Sequence, residues 1–185
     1  MTVSTVIAQA NVSRKTFYEL FADREDCFVA AYDLVVDRAL SGVRDAFAID
    51  APWSARLRAA LAWTLAALAH HPHEARVAFV EVLAAGPRAL ERRDRALGEL
   101  ASLLAPGFDV GPPDVDIPAS MPTAIVGALG ELIAAHVRRG TTAGLPLLLP
   151  DLLYCALAPF IGPVAAAEAA DGERAVAAAR RTAPA

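Results

Sequence analysis

Apolar residues recur along the chain at the three- and four-residue spacing that places side chains on one face of an α-helix. The first such segment is residues 2–10, in which Val3, Val6, Ile7 and Ala10 form a single apolar stripe. The spacing therefore predicts a short amphipathic helix for these residues.

A second short helix is predicted directly after the first. Asn11 tolerates the left-handed backbone of a tight turn, and the Ser13 hydroxyl can accept a hydrogen bond from the Thr16 backbone N–H as an N-cap. The apolar side of this helix consists of Phe17, Leu20 and Phe21. The opposite side carries cationic and hydroxyl groups on Arg14, Lys15, Thr16 and Tyr18. Such a polar side suits a DNA surface.

The remaining patterns predict a helical chain throughout. Asp23 is the expected N-cap of a linking helix that runs toward Ala39, and residues 42–53 are the expected connection at a domain boundary. Further helices are expected at residues 54–70, 72–85, 87–104, 120–139 and 146–160. Arg93 is expected to be solvated in the third of these, and Ser120 and Gly140 are the expected cap and terminus of the fourth. Turn residues at 105–118 predict a mobile loop, and the tail after Pro163 is either a frayed helix or disordered.

Composition and charge bound the class of protein. The 185 residues, 56% of them hydrophobic, suffice for one core or for a small head joined to a larger body. The formal net charge of −4 excludes a globally basic surface for nucleic acid. Within residues 1–42, four cationic side chains face six acidic ones, so any DNA binding must come from a local patch.

The candidate chemistry does not indicate an enzyme. No phosphate-binding loop, GxSxG, HExxH or paired-carboxylate pattern occurs, and no cofactor or metal is expected. His70, His71 and His73 are adjacent histidines broken by proline, a pattern more typical of a helix-end loop than of a metal site. Cys27 and Cys155 lack metal or redox spacing and are expected to be reduced in a cytoplasmic protein.

A membrane span is not expected either. The most apolar stretch, residues 145–167, contains four prolines and Asp151, so a continuous span of about 20 residues is disfavoured.

The segment that carries a specific resemblance is VSTVIAQANVSRKTFYELFADREDCFVAAYD. Its turn, its Arg-Lys-Thr-Phe-Tyr helix and its Phe-x-x-Arg-Glu entry to the next helix resemble the DNA-binding segment of TetR-family transcriptional regulators. The resemblance covers about the first forty residues. The family's first helix has no counterpart before Met1, so Phe17 and Phe21 are expected to be poorly packed.

The resemblance implies an all-α fold with a helix-turn-helix segment and linking helix at residues 1–42. Residues 43–185 would form an orthogonal and antiparallel helical bundle of the TetR C-terminal type, which binds a ligand and dimerises. The implied function is a ligand-responsive regulator, most often a repressor, that binds a palindromic double-stranded DNA operator as a homodimer. The alternative is a helical dimerisation and small-molecule-binding protein whose head no longer binds DNA.

The resemblance also implies roles for individual residues. The implied DNA contacts are Thr2, Ser4, Thr5, Ser13, Arg14, Lys15, Thr16, Tyr18 and Arg24. The implied dimer interface comprises Gly127, Gly130, Ala134, Leu152 and Leu153, with packing inside one chain as the alternative.

The body is expected to enclose a pocket for a small, hydrophobic effector, as in the family. Glu81 is the lone charge between Val77 and Ala85, where an unpaired buried carboxylate would be costly. It is either a pocket residue, or it is paired to an arginine or tilted to the rim. The other candidate pocket residues are Trp63, Phe79, Leu83 and Met121.

Overall fold

The structure is a computed structural model that describes residues 2–112 and 116–182, the last ten of these as backbone only. The described residues are α-helical with short 3₁₀ segments and contain no strand, which confirms the predicted all-α class. Residues 113–115 of the predicted loop and 183–185 of the tail lie outside the described residues.

The first two helices form as the local sequence predicts. Helix α1 (Val3–Ala10) is capped by Thr2, whose side chain accepts from the Thr5 backbone N–H. Asn11 adopts the left-handed conformation at φ 53°. Helix α2 (Arg14–Leu20) begins after Ser13, whose hydroxyl accepts from the Thr16 N–H at 3.0 Å. The predicted turn and cap are both confirmed.

Helix α3 (Arg24–Phe47) starts at the predicted cap, since Asp23 accepts from the Asp26 N–H at 2.7 Å. It then continues past residue 42, so the domain boundary expected at 42–43 falls inside the helix. The apolar stripe does not end at Ala39, because Val43 and Phe47 are also buried. The connection between α3 and the next helix is therefore only residues 48–52.

The middle of the chain departs from prediction at two places. Helices α4 (Trp53–His70), α5 (Pro72–Phe79) and α6 (Pro87–Ser102) follow in order. The expected helix to Ala85 is wrong, because α5 ends at Phe79 and a 3₁₀ segment, Glu81–Ala84, takes its place. The expected loop contains the short helix α7 (Gly107–Val110).

The last helices are α8 (Met121–Arg139), α9 (Leu149–Ile161) and α10 (Pro163–Thr182), with a 3₁₀ segment, Thr142–Leu148, before α9. Gly140 ends α8 at φ 71°, as predicted, whereas the Ser120 side chain makes no capping hydrogen bond. Ala166 and Ala170 of α10 are fully buried, and α10 packs along α9. The tail up to residue 182 is thus helical.

Two apolar clusters hold these helices together. The larger one fills the body and includes the fully buried Leu65, Leu145, Leu152, Leu153, Leu157 and Phe160. The smaller one joins α3 to the start of α6 and contains Phe28, Tyr32, Val82, Ala85 and Ala89. The second cluster fixes the first half of α3 to the body, whereas Val43 and Phe47, near its end, belong to the larger cluster.

One stretch, Thr142–Ile161, is long and apolar enough to cross a membrane by length and composition, with a mean hydropathy of 1.7. It comprises the 3₁₀ segment and α9, and 39% of it is buried inside the chain. A core helix of a soluble protein passes the same test, so the stretch is weak evidence for a span.

Candidate nucleic-acid face and internal cavity

The polar side of α2 is accessible to a large partner. Tyr18 is 51% exposed, and Lys15 is almost fully solvated. The Lys15 ammonium lies 3.8 Å from the Glu19 carboxylate one turn later. Because both side chains are exposed, this ion pair contributes little and can be exchanged for a phosphate. The face therefore offers a cation and a phenol to a ligand in solvent.

Hydrogen bonds join this face to α1. The Arg14 guanidinium donates to the Ser4 hydroxyl at 3.2 Å, which links the two helices. The Ser13 and Thr16 hydroxyls lie 2.9 Å apart, as do those of Thr2 and Thr5. These groups are exposed, so each could still meet a phosphate while it caps its helix.

The apolar side of α2 is only partly buried. Phe17 is 2% exposed and its ring lies 5.5 Å from that of the half-buried Phe21. The expectation of poor packing is thus wrong for Phe17. Leu20, expected on the same buried side, is 69% exposed. One aromatic pair, rather than a continuous stripe, anchors α2.

Arginines from α6 match most of the acidic side chains near the head. Arg88 lies 2.7 Å from Asp23, 3.4 Å from Glu25 and 3.6 Å from Asp26. Its backbone N–H also donates to Glu25 at 2.7 Å. Arg92 lies 3.5 Å from Asp33. Four of the six acids in residues 1–42 therefore meet a cation of the body, which reduces the acidic field near α2.

The first turn of α3 also contributes to an open depression of about 290 Å³. Arg24, Phe28, Glu81 and Ala84 line it. Arg24 is thereby placed at the α3–3₁₀ junction, beside the body. Glu81 is exposed and lies 3.8 Å from the Arg76 guanidinium. Of the two interpretations of this residue, the structure thus agrees with an exposed carboxylate paired to an arginine.

A second cavity lies between the helices of the body and is partly open to solvent, where Leu83, Arg38 and Glu131 line it. Its volume is about 250 Å³, and α3, α4, α5, α6 and α8 form its walls. Most of the lining is apolar, with Val36, Val43, Trp63, Leu68, Phe79, Leu97, Leu100 and Val126 among the residues that form it. The cavity has the apolar character of a small-molecule site and lies just below its usual size range of about 300 to 1,000 Å³.

The structure brings three of the five predicted pocket residues to this cavity. Trp63, Phe79 and Leu83 line it. Met121 instead packs against the main core, and Glu81 faces away. Glu81 is displaced because the helical register on which its position was inferred stops at Phe79, and the 3₁₀ segment turns the side chain outward.

The polar residues of the cavity were not identified from the sequence. Arg38 and Glu74 form an ion pair at 2.5 Å, and Arg138 pairs with Glu131. Arg93 lines the same cavity, although the pattern of α6 predicted a fully solvated residue. Tyr32 lines it from α3 and is 3% exposed. Its position in the apolar stripe of α3 was the only available sequence signal.

The predicted dimer residues are distributed differently from expectation. Leu152 and Leu153 are at most 1% exposed within one chain, so they belong to its own core, which is the intrachain alternative. Gly127, Gly130 and Ala134 line the cavity. The leucines of α9 are buried because α9 packs against α10, α4 and α8.

The histidines do not assemble into a metal centre. No group of three or more His, Cys, Asp or Glu side chains suitable for a metal ion occurs in the described part of the chain. His70 Nδ1 lies 2.7 Å from the Ala66 carbonyl at the end of α4, and His71 lies 3.9 Å from Glu74.

The chain was compared with protein-family models, curated proteins and solved structures. No protein-family model, no curated protein and no solved structure matches this chain.

Proposed function

We propose that this protein is a ligand-responsive transcriptional regulator of the TetR type that binds double-stranded DNA as a homodimer. The observation that carries the proposal is the capped α1–α2 unit, which exposes Lys15 and Tyr18 on α2 and leads directly into the long helix α3, a wall of the cavity in the body. In this arrangement α2 is the recognition helix of a helix-turn-helix, and it enters the major groove.

The same long helix supplies the coupling between ligand and DNA. Tyr32, Arg38 and Val43 of α3 line the cavity, and Arg88 of α6 holds the start of α3. A ligand that shifts α6 relative to α3 therefore changes the direction of α2. For this to regulate DNA binding, the ligand must bind the two arrangements with different affinity.

The second candidate is a small-molecule-binding protein without DNA affinity. What favours it is the charge of the head, in which Glu19 lies close to Lys15 and Arg14 is engaged by Ser4. Such a protein would bind a ligand in the same cavity, and its α2 would be a solvated surface helix.

DNA affinity separates the two functions. We expect the full chain to bind the DNA upstream of its own gene, measured by fluorescence anisotropy across a salt series. Lys15→Gln should weaken binding to all sequences and lower the salt slope by about one, since one phosphate contact is lost. Arg95→Gln, an exposed cation on α6, is the matched control and should leave both unchanged.

Absence of binding at low salt by a folded protein would contradict the regulator and favour the second candidate. Equal effects of Lys15→Gln and Arg95→Gln would show that α2 is not the DNA-contacting helix.

A further inference from the structure

The charges around the internal cavity do not cancel. Two of its three arginines each have a carboxylate partner that also lines it: Arg38 with Glu74, and Arg138 with Glu131. The third, Arg93, has no such partner. Among the described residues its ion pair is with the adjacent Asp94, at 3.4 Å, whose side chain is 74% exposed. This exposed pair contributes little, so Arg93 can take another anion. The Arg138–Glu131 pair is similarly exposed, but its carboxylate belongs to the lining, whereas that of Asp94 does not.

The side chain of Tyr32 lines the cavity from α3, and the residue is 3% exposed. Its hydroxyl makes no hydrogen bond to another described residue, and no described side-chain oxygen that lacks a partner is fully buried, so this hydroxyl is open to solvent. Burial raises the pKa of Tyr32 to about 12, against a smaller lowering by the Arg93 charge. The phenol is therefore protonated at neutral pH and available as a donor.

The two groups belong to packed turns of α3 and α6. Their sequence neighbours, Asp33 and Arg92, form an ion pair at 3.5 Å that fixes the register of the two helices. The Arg93 charge also acts on the Tyr32 hydroxyl. Asp33 and Asp94, the nearby carboxylates, do not line the cavity. The lining thus includes one guanidinium, whose described ion-pair partner lies outside the lining, and one neutral phenol.

The rest of the lining determines the size and polarity of a ligand. A volume of about 250 Å³ equals that of about eight waters in the liquid. Trp63, Phe79 and Leu100 provide aromatic and aliphatic walls. A ligand that fits has a short apolar body.

We propose that the cavity binds a small amphipathic anion, a monocarboxylate with an apolar tail, whose carboxylate accepts from Arg93 and Tyr32. A cationic head group would lie against the Arg93 guanidinium, and a neutral one would leave it with only the solvent-exposed Asp94 as counter-charge. The role of this anion as the effector rests on the proposed regulatory function. Because its carboxylate would connect α6 to α3, its binding would stabilise one arrangement of these helices.

The test compares three probes that share one alkyl chain: octanoate, octanol and octylammonium. Binding to the full chain is measured by calorimetry and by tryptophan fluorescence, to which Trp63 in the cavity wall and Trp53 outside it both contribute. We expect octanoate to bind about tenfold or more tightly than octanol, which corresponds to a hydrogen-bonded charge pair. Octylammonium should bind most weakly.

Substitutions identify the residues that produce the preference for octanoate over octanol. Arg93→Gln should reduce octanoate affinity to that of octanol, and Arg93→Lys should retain part of the preference. Tyr32→Phe should weaken octanoate binding several-fold. Arg95→Gln on the same helix, which does not line the cavity, should leave it unchanged. Thermal unfolding of each variant confirms that it is folded.

Three results would overturn the proposed site: equal affinity for octanoate and octanol, tightest binding of octylammonium, or no effect of Arg93→Gln beyond that of Arg95→Gln. The proposed site and the proposed regulatory function can fail independently of each other. Octanoate preference in a protein without DNA affinity would support the site and overturn the regulator, whereas DNA binding by a protein that binds none of the probes would overturn the site alone.

Discussion

Gly42 shows how a missing side chain shapes the cavity. It lies within α3, and a Cβ built on it would be 1.9 Å from the Trp63 ring. Trp63 is one of the cavity walls, so its position depends on the absence of a side chain at residue 42. Gly98 is also in a helix interior, but a Cβ there would meet nothing within 4 Å.

This pair of glycines gives opposite predictions for one substitution. Gly42→Ala should destabilise the protein by about 1–3 kcal/mol, since the Trp63 ring must move in a packed site. Gly98→Ala should stabilise it by about 0.5–1 kcal/mol through reduced backbone entropy in the unfolded chain. Denaturant unfolding measures both. A neutral Gly42→Ala would show that Trp63 adapts freely and is not held by α3.

At the scale of elements, the start of α3 is where the head meets the body. Asp23 caps α3 through the Asp26 N–H and also accepts from Arg88 of α6 at 2.7 and 2.8 Å. Ala22 in turn donates its N–H to Asp26 at 3.0 Å. One carboxylate therefore joins the helix cap to an ion pair between two elements.

This arrangement predicts a pH dependence with a defined sign. The pKa of Asp23 is lowered, mainly by its hydrogen bond from the Asp26 backbone and further by the Arg88 charge. The stabilisation is therefore present above the unfolded pKa of about 3.9 and is lost as the pH falls through the lower folded value. Asp23→Asn keeps a capping side chain and removes the charge.

We expect Asp23→Asn to lower the melting temperature at neutral pH, and the difference from the parent protein to shrink below about pH 4. Asp37→Asn, at an exposed position of the same helix, is the control and should have little effect at either pH. A difference for Asp23→Asn that persists unchanged in acid would mean that the charge of Asp23 does not stabilise the junction.

At the scale of the whole molecule, the open question is where two copies would meet. With Leu152 and Leu153 inside the core, the accessible apolar surface of α8 is on Ala124, Ala128 and Leu132, at one-turn intervals. Leu132 is 44% exposed. A homodimer as proposed would bury about 1,200 Å² or more and would use this outer side of α8.

Leu132→Glu should then convert the dimer to a monomer at micromolar concentration, because it places an unpaired carboxylate in an apolar contact. Leu90→Glu changes a leucine of α6 that is 37% exposed, and it should leave the mass unchanged. Sedimentation equilibrium measures both. A parent protein that sediments as a monomer would exclude the dimer and binding to two half-sites at once.

The sequence interpretation succeeded where the interactions are local. The Asn11 turn, the Ser13 and Asp23 caps and the Gly140 terminus all involve atoms within a few residues, so local residue types suffice to predict them. Helix periodicity likewise determined the all-α class. The regulatory function and the resemblance behind it stay predictions.

The tertiary structure decided the features that depend on residues far apart in the sequence. Arg93 was expected in solvent and lines the cavity, whereas Glu81 was expected in the cavity and is exposed. The change to a 3₁₀ segment after Phe79 and the packing of α6 on α3 determine these positions, and neither leaves a periodic signal. By itself, the sequence thus determined the all-α class, the caps of α2 and α3 and the polar face of α2. Only the packing of those helices decided which charges meet, because that depends on the directions in which separate helices cross.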